Sequence, residues 1–432
     1  MMSGFLFKLP LVSVLIFSAL WSFANNAGTF VLRDSGGNAV RYAGKYSSRK
    51  IVIAKTAPRR GEFRGIWVAT VENLDFKSSR SVAEFKANYI RMVDRIAKNR
   101  FNAIIFQVRP NCDAFYPSRF APYSQFLSGV EGRPLGAGFD PLKFMINEAH
   151  RRNLEFHAWL NPYRVVNESK VSKKAYLNSR HAKNFARQNP HLVLRFKNGQ
   201  LFLDPGQREV VRHVVNVVNE IATNYNVDGI HIDDYFYPYE EIGSLDDVTY
   251  RTNNPRRLSK ANWRRANTEL LVCSISRTIR NVNLKQRKKI RFGVSPFGIW
   301  GNKKDHSAGS LTGGKQTYFN LYADTRRWVK MRYVDYIVPQ LYWNFRHDTA
   351  AYAALVDWWS HVVRDTGVRL YIGQGAYRAG AWDKNELVNQ LRYNRMHPEV
   401  SGTVLFSYRH IFGEKIHPEC SRFLRFLSTN GR

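Results

Sequence analysis

From residue 62 onward, short apolar runs alternate with longer stretches in which apolar residues recur every three or four positions. Near-continuous apolar runs are typical of strands buried on both faces, as in a parallel sheet. They predict eight strands, at residues 63–70, 102–109, 155–161, 227–235, 290–296, 334–342, 369–374 and 402–407.

The stretches between these runs predict eight helices, because their apolar positions share one helical face. They cover residues 81–98, 141–152, 207–224, 262–280, 318–331, 350–363, 384–393 and 418–427. Eight alternating units predict an α/β fold, a closed (β/α)8 TIM barrel, rather than an open doubly wound sheet. The first strand is not followed by Gly-x-Gly-x-x-Gly, which argues further against an open nucleotide-binding sheet.

The segments outside the repeat predict export. Residues 1–24 resemble a cleaved signal peptide, with Lys8 before an apolar run and small residues at Ser22 and Ala24. We therefore expect a periplasmic or extracellular protein, without a transmembrane segment because no apolar run is long enough. Residues 25–61 are a basic, turn-rich extension with some β character, and residues 62–430 form the single barrel domain.

The connection between the third strand and third helix is long enough to wall one edge of the barrel mouth. Asn198 and Gly199 within it predict a β-hairpin. Asp204, followed by Pro205, is expected to cap the next helix rather than to act in catalysis.

The strongest compositional feature is charge. The 66 Lys and Arg residues against 34 Asp and Glu give a formal net charge of +32, which attracts polyanions. The excess is spread along the whole chain and accompanies no nucleic-acid motif, so anionic envelope polymers are the expected partners and specific nucleic acid is not. Three cysteines cannot all pair with one another, and no His and Cys spacing suggests zinc. We expect no metal and no cofactor.

The fourth predicted strand runs directly into two acidic residues. Alternation places His231 and Asp233 on one face, with Asp234 at or just past the strand end. Buried carboxylates are rarely unpaired, so the pair requires a partner or a ligand. In the structural alternative, Asp233 pairs with an arginine and Asp234 caps the following turn.

Polar and aromatic residues recur at the carboxyl ends of nearly all the predicted strands, where this fold places its active sites. Aromatic rings stack on the faces of sugar rings, and amide and guanidinium groups bond hydroxyl, amide and acid groups. These residue types together predict a carbohydrate site. The candidate binding residues are Gln107, Arg109, Trp159, Asn161, Tyr163, Tyr235, Gln340, Tyr342 and Trp343.

Six motifs make the chain similar to the bacterial glycosyl hydrolase-like family ten, over roughly residues 60 to 425. They are Glu62-Phe-Arg-Gly-Ile-Trp67, Gln107-Val-Arg109, Tyr116-Pro-Ser118, Ala158-Trp-Leu-Asn-Pro-Tyr163, Asp228-Gly-Ile-His-Ile-Asp-Asp-Tyr-Phe-Tyr-Pro238 and Pro339-Gln-Leu-Tyr-Trp343. The resemblance implies a (β/α)8 barrel and glycosidase activity on the cell wall. It also implies peptidoglycan glycan strands stripped of their stem peptides as substrate, as for a divisome-localised member. Members of that kind are lipoproteins, whereas no cysteine lies at the predicted cleavage region here.

Glycoside hydrolysis normally needs two carboxyl groups. Acidic residues are scarce at the predicted strand ends, and Asp233 and Asp234 are the favoured catalytic pair, with Asp113 as a rival acid. Repulsion between neighbouring carboxylates favours keeping one protonated, as a general acid must be. One aspartate could then polarise the substrate's own acetamide while the other protonates the leaving group. Arg109 could neutralise Asp233 or bind the lactyl carboxylate of muramic acid.

Three other functions remain open at the level of the sequence. A non-catalytic glycan-binding barrel of the cell envelope would not need the Asp pair. An extracellular nucleic-acid binder would lose affinity steeply with salt. A metal-dependent deacetylase is disfavoured because no His cluster accompanies the pair.

Overall fold

In the computed structural model, residues 28–55 and 61–430 are described. The predicted signal peptide, residues 1–24, lies outside the described residues. Among the helices of the described segments, none combines the length and the apolar character needed to cross a lipid bilayer.

The predicted (β/α)8 barrel is confirmed. Consecutive strands pair in parallel, and the eighth pairs with the first, placing Gly402 opposite Phe63 and closing the sheet. The eight strands are Phe63–Val68, Ala103–Arg109, Glu155–Leu160, Gly229–Ile232, Arg291–Val294, Tyr336–Ile337 with Gln340–Leu341, Arg369–Gly375 and Val400–Phe406.

The sixth strand is split where a single strand was predicted. Its first piece pairs with the fifth and seventh strands, and its second piece pairs with the seventh. Pro339 lies in the gap and has no N–H to donate to the sheet, although its carbonyl accepts a bond from Gly373 N at 3.0 Å. The break brings Gln340 and Leu341 to the rim of the mouth as a separate short segment.

A main helix follows each strand and covers the outside of the barrel, but the predicted fifth helix, residues 318–331, is broken into Thr317–Asn320 and Thr325–Lys330. The eight helices are Val82–Lys98, Pro141–His150, Arg208–Asn224, Lys260–Gln286, Thr325–Lys330, Tyr352–Val363, Glu386–Arg395 and Pro418–Asn430. Short helices lie in the connections, at Gln125–Ser128, Lys173–Asn178, Phe185–Gln188, Asp247–Thr252, Thr317–Asn320 and Tyr408–Phe412.

Inside the barrel, aromatic and histidine side chains form a closed floor below the mouth. Trp67 and Tyr336 belong to a core cluster separate from the one between sheet and helices. His231 lies among them, with Nε2 2.9 Å from Ser295 Oγ and Nδ1 3.1 Å from Tyr336 Oη. Burial lowers the pKa of His231 well below its usual range, so the ring is neutral at this position.

The long connection after the third strand forms the predicted wall. Arg164–Val166, Val193–Arg195 and Leu201–Leu203 make a three-stranded antiparallel sheet, and Gly199 takes the left-handed conformation at its hairpin. Asp204 does not cap the next helix as expected, because that helix begins later, at Arg208. Its carboxylate instead accepts bonds from Gly206 N at 2.9 Å and Thr249 Oγ1 at 2.5 Å, which brace the loop.

The extension before the barrel forms an antiparallel strand pair, Thr29–Val31 with Val52–Ala54. It packs on the barrel flank near the sixth helix. Tyr42 Oη donates to Asp357 Oδ2 at 2.7 Å, and Lys45 N donates to the Asp348 carbonyl at 3.1 Å. These contacts lie away from the Asp pair.

Candidate active site

A cavity of about 580 Å³ opens at the carboxyl ends of the barrel strands. Its walls are aromatic and polar, and Asp233 and Asp234 are the acidic residues among the described residues that line it. The predicted residues in the lining are Gln107, Trp159, Asp233, Asp234, Tyr235, Gln340, Tyr342 and Trp343. They are joined there by Trp67, Arg164, Asn167, Tyr239, Phe297, Tyr377, Arg378 and Phe406.

Both aspartates lie just past the end of the fourth strand, which stops at Ile232 rather than at the predicted Tyr235. Asp233 is 4% exposed and Asp234 is 6% exposed. Buried carboxylates at the centre of an open mouth are expensive unless partners or a ligand compensate them. Their placement is therefore typical of a reactive pair.

A chain of amides fixes the orientation of Asp233. Gln107 Oε1 accepts bonds from the backbone N–H groups of Thr70 and Val71, both at 2.9 Å. Gln107 Nε2 therefore faces Asn161 Oδ1 and donates to it at 2.5 Å. The Asn161 amide in turn donates to Asp233 Oδ2. Residues from the first four barrel units thus hold one carboxylate oxygen in place.

Arg164 and Tyr239 complete the surroundings of the pair. The Arg164 guanidinium lies 3.9 Å from Asp233 Oδ2 and stacks over the Tyr235 ring at 4.2 Å from its centre. Tyr239 Oη donates to Asp234 Oδ2. Each aspartate therefore has its own donor, and of the two only Asp233 forms an ion pair with a described residue.

The surroundings shift the protonation of both carboxyl groups. Burial raises the pKa of Asp233 to about 7, Arg164 and Asn161 oppose this rise, and the Asp234 charge adds to it. Burial also raises the pKa of Asp234, against the hydrogen bond from Tyr239. Interacting carboxyl groups titrate as a pair, so near neutral pH one can hold a proton while the other is ionised.

The raised pKa predicts that Asp233→Asn stabilises the fold at neutral pH. Because the folded-state pKa of about 7 exceeds the usual 3.8, the folded state binds more protons between these values, and stability falls as pH rises through them. Removing the charge should increase the free energy of unfolding by on the order of 1 to 3 kcal/mol at pH 7.5 and by less at pH 4.5. Thermal denaturation at both pH values measures it, with Asp348→Asn as control, because Asp348 is exposed and forms no ion pair among the described residues. An increase in the free energy of unfolding that is no larger at pH 7.5 than at pH 4.5 would contradict the raised pKa.

Arg109 does not reach the mouth, although alternation predicted that it would share the face of Gln107. A register shift interrupts the pairing of the second strand between these residues, and a bulge breaks the alternation of faces. The Arg109 guanidinium donates to the Asn161 carbonyl and lies 3.4 Å from His213 Nε2. It is absent from the lining of the cavity and supports the third strand end from behind.

Three other predicted residues also lie outside the lining. Asn161 is fully buried and acts on the cavity only through Asp233. Tyr163 is buried below the long connection, with its ring centre 5.6 Å from that of Phe202. Asp113, the rival acid, is 3% exposed and accepts a bond from Asn111 N at 3.0 Å. Burial raises its pKa to about 6, but the side chain does not face the mouth.

Comparison with known proteins identifies the family. A family model described as Glycosyl hydrolase-like 10 matches residues 62–393, a range that contains the Asp pair and the whole amide chain. The chain belongs to the glycosyl hydrolase-like 10 family. Membership supports a glycosidase type of function for the chain.

Two relatives show how far the similarity extends. Glycosyl hydrolase YngK of Bacillus subtilis (strain 168) is 41% identical over 361 residues, which are 81% of this chain and 68% of that protein. Glycosyl hydrolase DigH of Escherichia coli (strain K12) is 39% identical over 383 residues, 82% of this chain and 84% of that protein. Both are named as glycosyl hydrolases.

A solved structure shares the fold of this family member at low sequence identity. Alpha-L-fucosidase isoenzyme 2 from Paenibacillus thiaminolyticus superposes with a TM-score of 0.50 at 12% identity. The match covers 86% of this chain, which spans half the length of that structure. At this identity the likeness concerns the barrel architecture alone.

Several residues that line the cavity of this protein were not predicted as binding residues from the sequence. Trp67 and Phe406 come from strands one and eight, which flank each other only once the barrel closes. Arg164 and Asn167 come from the long connection, which folds back over the mouth. Arg164 follows Asn161 closely in the sequence, but its ion pair with Asp233 forms only in the folded protein and could not be predicted.

No group of three or more His, Cys, Asp or Glu side chains that could hold a metal ion occurs within residues 28–55 and 61–430.

Proposed function

We propose that this chain is an exported glycoside hydrolase that cleaves the glycan strands of bacterial peptidoglycan, preferentially strands free of stem peptides. The observation that carries the proposal is the buried Asp233 and Asp234 pair in a mouth lined by aromatic rings. Such a mouth offers both halves of what a glycosidase needs, flat apolar surfaces for sugar rings and two carboxyl groups with separate donors. The family and the names of its relatives support the same class of reaction.

The two aspartates divide the acid and base work between them. The protonated member donates its proton to the glycosidic oxygen as the bond to the anomeric carbon breaks, and the ionised member stabilises the positive charge that develops. Burial raises the pKa of both carboxyl groups and the Asp234 charge raises that of Asp233 further, which favours one proton on the pair near neutral pH. The donors Asn161 and Arg164 hold Asp233 in a fixed position during this transfer.

The nucleophile comes from the substrate. A retaining glycosidase with an enzymatic nucleophile needs a second carboxylate across the anomeric carbon, yet the described lining offers no acid besides the adjacent pair. The 2-acetamido oxygen of an N-acetylated sugar can instead attack the anomeric carbon, while the ionised aspartate accepts a hydrogen bond from the acetamide N–H. Water then opens the cyclic intermediate and restores the proton to the acid.

A cleavage assay with purified protein and two forms of the wall tests this function. Intact peptidoglycan and the same strands after enzymatic removal of stem peptides are incubated with the chain, and soluble fragments are analysed by mass spectrometry. We expect fragments with saturated reducing ends from the peptide-free strands, at a rate at least about tenfold above that from intact wall. A chain that binds both forms but releases no fragment would be a glycan-binding barrel instead.

A further inference from the structure

A second cavity, of about 930 Å³, opens beside the mouth. Its walls come from the loop after the first strand, the first helix and the loops after the seventh and eighth strands. Leu74 and Tyr377 line both this cavity and the mouth, so the two are continuous along one face of the barrel. A polymer held at the Asp pair can therefore extend into it. We call this cavity the basic groove.

The basic groove is rich in cations without acidic partners. Lys77, Arg91, Arg95, Arg409 and Lys415 line it, and none of them forms an ion pair with a carboxylate among the described residues.

The two acids in the lining offset little of this charge, because Asp75 interacts electrostatically with Arg409 but with none of the other four cations. Asp75 accepts bonds from the backbone N–H groups of Ala69 and Arg409, both at 2.8 Å, and from Ser407 Oγ at 2.7 Å. Glu414 is exposed and pairs with none of the five cations. Five exposed cations that converge on one concavity with only two acids create a positive potential there, which attracts an anionic group.

We propose that the basic groove is a subsite for the free lactyl carboxylate of a muramic acid unit in the strand that occupies the mouth. This inference rests on the proposed function. Arginine presents paired N–H donors that match a carboxylate. Arg91 and Arg409 are exposed. Each uses one guanidinium N–H to bond a neighbouring side chain, that of Asn88 or of His410, which leaves further N–H groups for a ligand. Tyr408 lines the same groove and, being only half-buried, offers part of its ring to the sugar.

The subsite accounts for a preference for peptide-free strands. In intact wall the lactyl carboxylate is joined to the stem peptide through an amide, which removes its charge and adds bulk. Removal of the peptide restores one negative charge on each muramic acid unit. The groove therefore recognises the chemical group that distinguishes the two forms of substrate, a role for which Arg109 is wrongly placed.

The test pairs a double variant with a chemically altered substrate. Binding and cleavage of peptide-free strands are compared with those of the same strands after their carboxylates are converted to methylamides. In the wild-type chain, we expect conversion to raise both Kd and KM about tenfold at constant ionic strength. In Arg91→Gln/Arg409→Gln, we expect Kd and KM for the charged strands to rise by a similar factor, with kcat and the values for amidated strands nearly unchanged.

Two controls separate this inference from general charge and from the proposed function. Lys285→Gln/Lys289→Gln removes the same amount of charge at the opposite end of the barrel and should leave Kd, KM and kcat unchanged for both kinds of strand. If the double variant raises Kd and KM equally for charged and amidated strands, or for neither, the proposed subsite is refuted. Stronger competition by poly(glycerol phosphate) than by charged glycan would assign the groove to a phosphodiester polymer and overturn it too. A wild-type chain that cleaves neither substrate refutes the proposed function, while the Kd comparison still tests the groove.

Discussion

Asparagine in place of Asp233 or of Asp234 is expected to lower turnover of peptide-free glycan strands by about a thousandfold or more. Each change preserves the size of the side chain but removes an ionisable group from the pair. Without one member, the pair cannot supply both a proton and a negative charge. Release of reducing ends under saturating substrate measures the loss, and the affinity for the strands should change far less than kcat.

A matched control exists in Asp113, which is also buried and also has a raised pKa. Because Asp113 lies outside the lining of the mouth, Asp113→Asn should retain turnover within a few-fold of the wild-type value. Circular dichroism and thermal denaturation establish that all three variants are folded. Near-normal hydrolysis by both Asp233→Asn and Asp234→Asn would refute the catalytic role of the pair.

Arg164→Gln is expected to shift the pH dependence of the reaction as well as its rate. The Arg164 charge opposes the rise in the pKa of both Asp233 and Asp234, so its removal should raise both pKa values further. The acid limb of the pH–rate profile requires one ionised carboxyl group. It should therefore move to higher pH by about one unit, and this shift should lower activity up to about tenfold at pH 6 and less at pH 8.

Two further variants separate this electrostatic effect from a loss of contacts with substrate. Arg164→Lys keeps the charge and should restore most of the position of the acid limb. Arg378→Gln removes an exposed charge at the same mouth and should leave the limb in place, because solvent screens it. A slower Arg164→Gln enzyme with an unchanged pH profile would show that Arg164 acts on the substrate rather than on Asp233.

The barrel was predictable from the sequence because strands buried on both faces leave long apolar runs, and each was followed by an amphipathic helix. The failures are local. Residues 233–235 continue the apolar and aromatic character of the fourth strand beyond its end at Ile232. The run at residues 334–342 hides the interruption at Pro339, where parallel pairing cannot continue.

The site was predictable where strand alternation holds. Gln107, Trp159, Gln340 and Tyr342 reach the cavity as the period of two requires. Arg109 does not, because a bulge changes the face of its side chain, and bulges leave little trace in a single sequence. Arg164 was missed because its approach to Asp233 depends on a long connection that folds back over the barrel.

The products formed from purified peptide-free strands show whether the Asp pair hydrolyses glycan strands. Wild-type protein and the Asp233→Asn/Asp234→Asn variant are incubated with the strands, and the ends of all fragments are identified by mass. The proposal predicts saturated, water-derived reducing ends from the wild-type protein and none above background from the variant. Anhydro ends from the wild-type protein, or equal release by the variant, would contradict it.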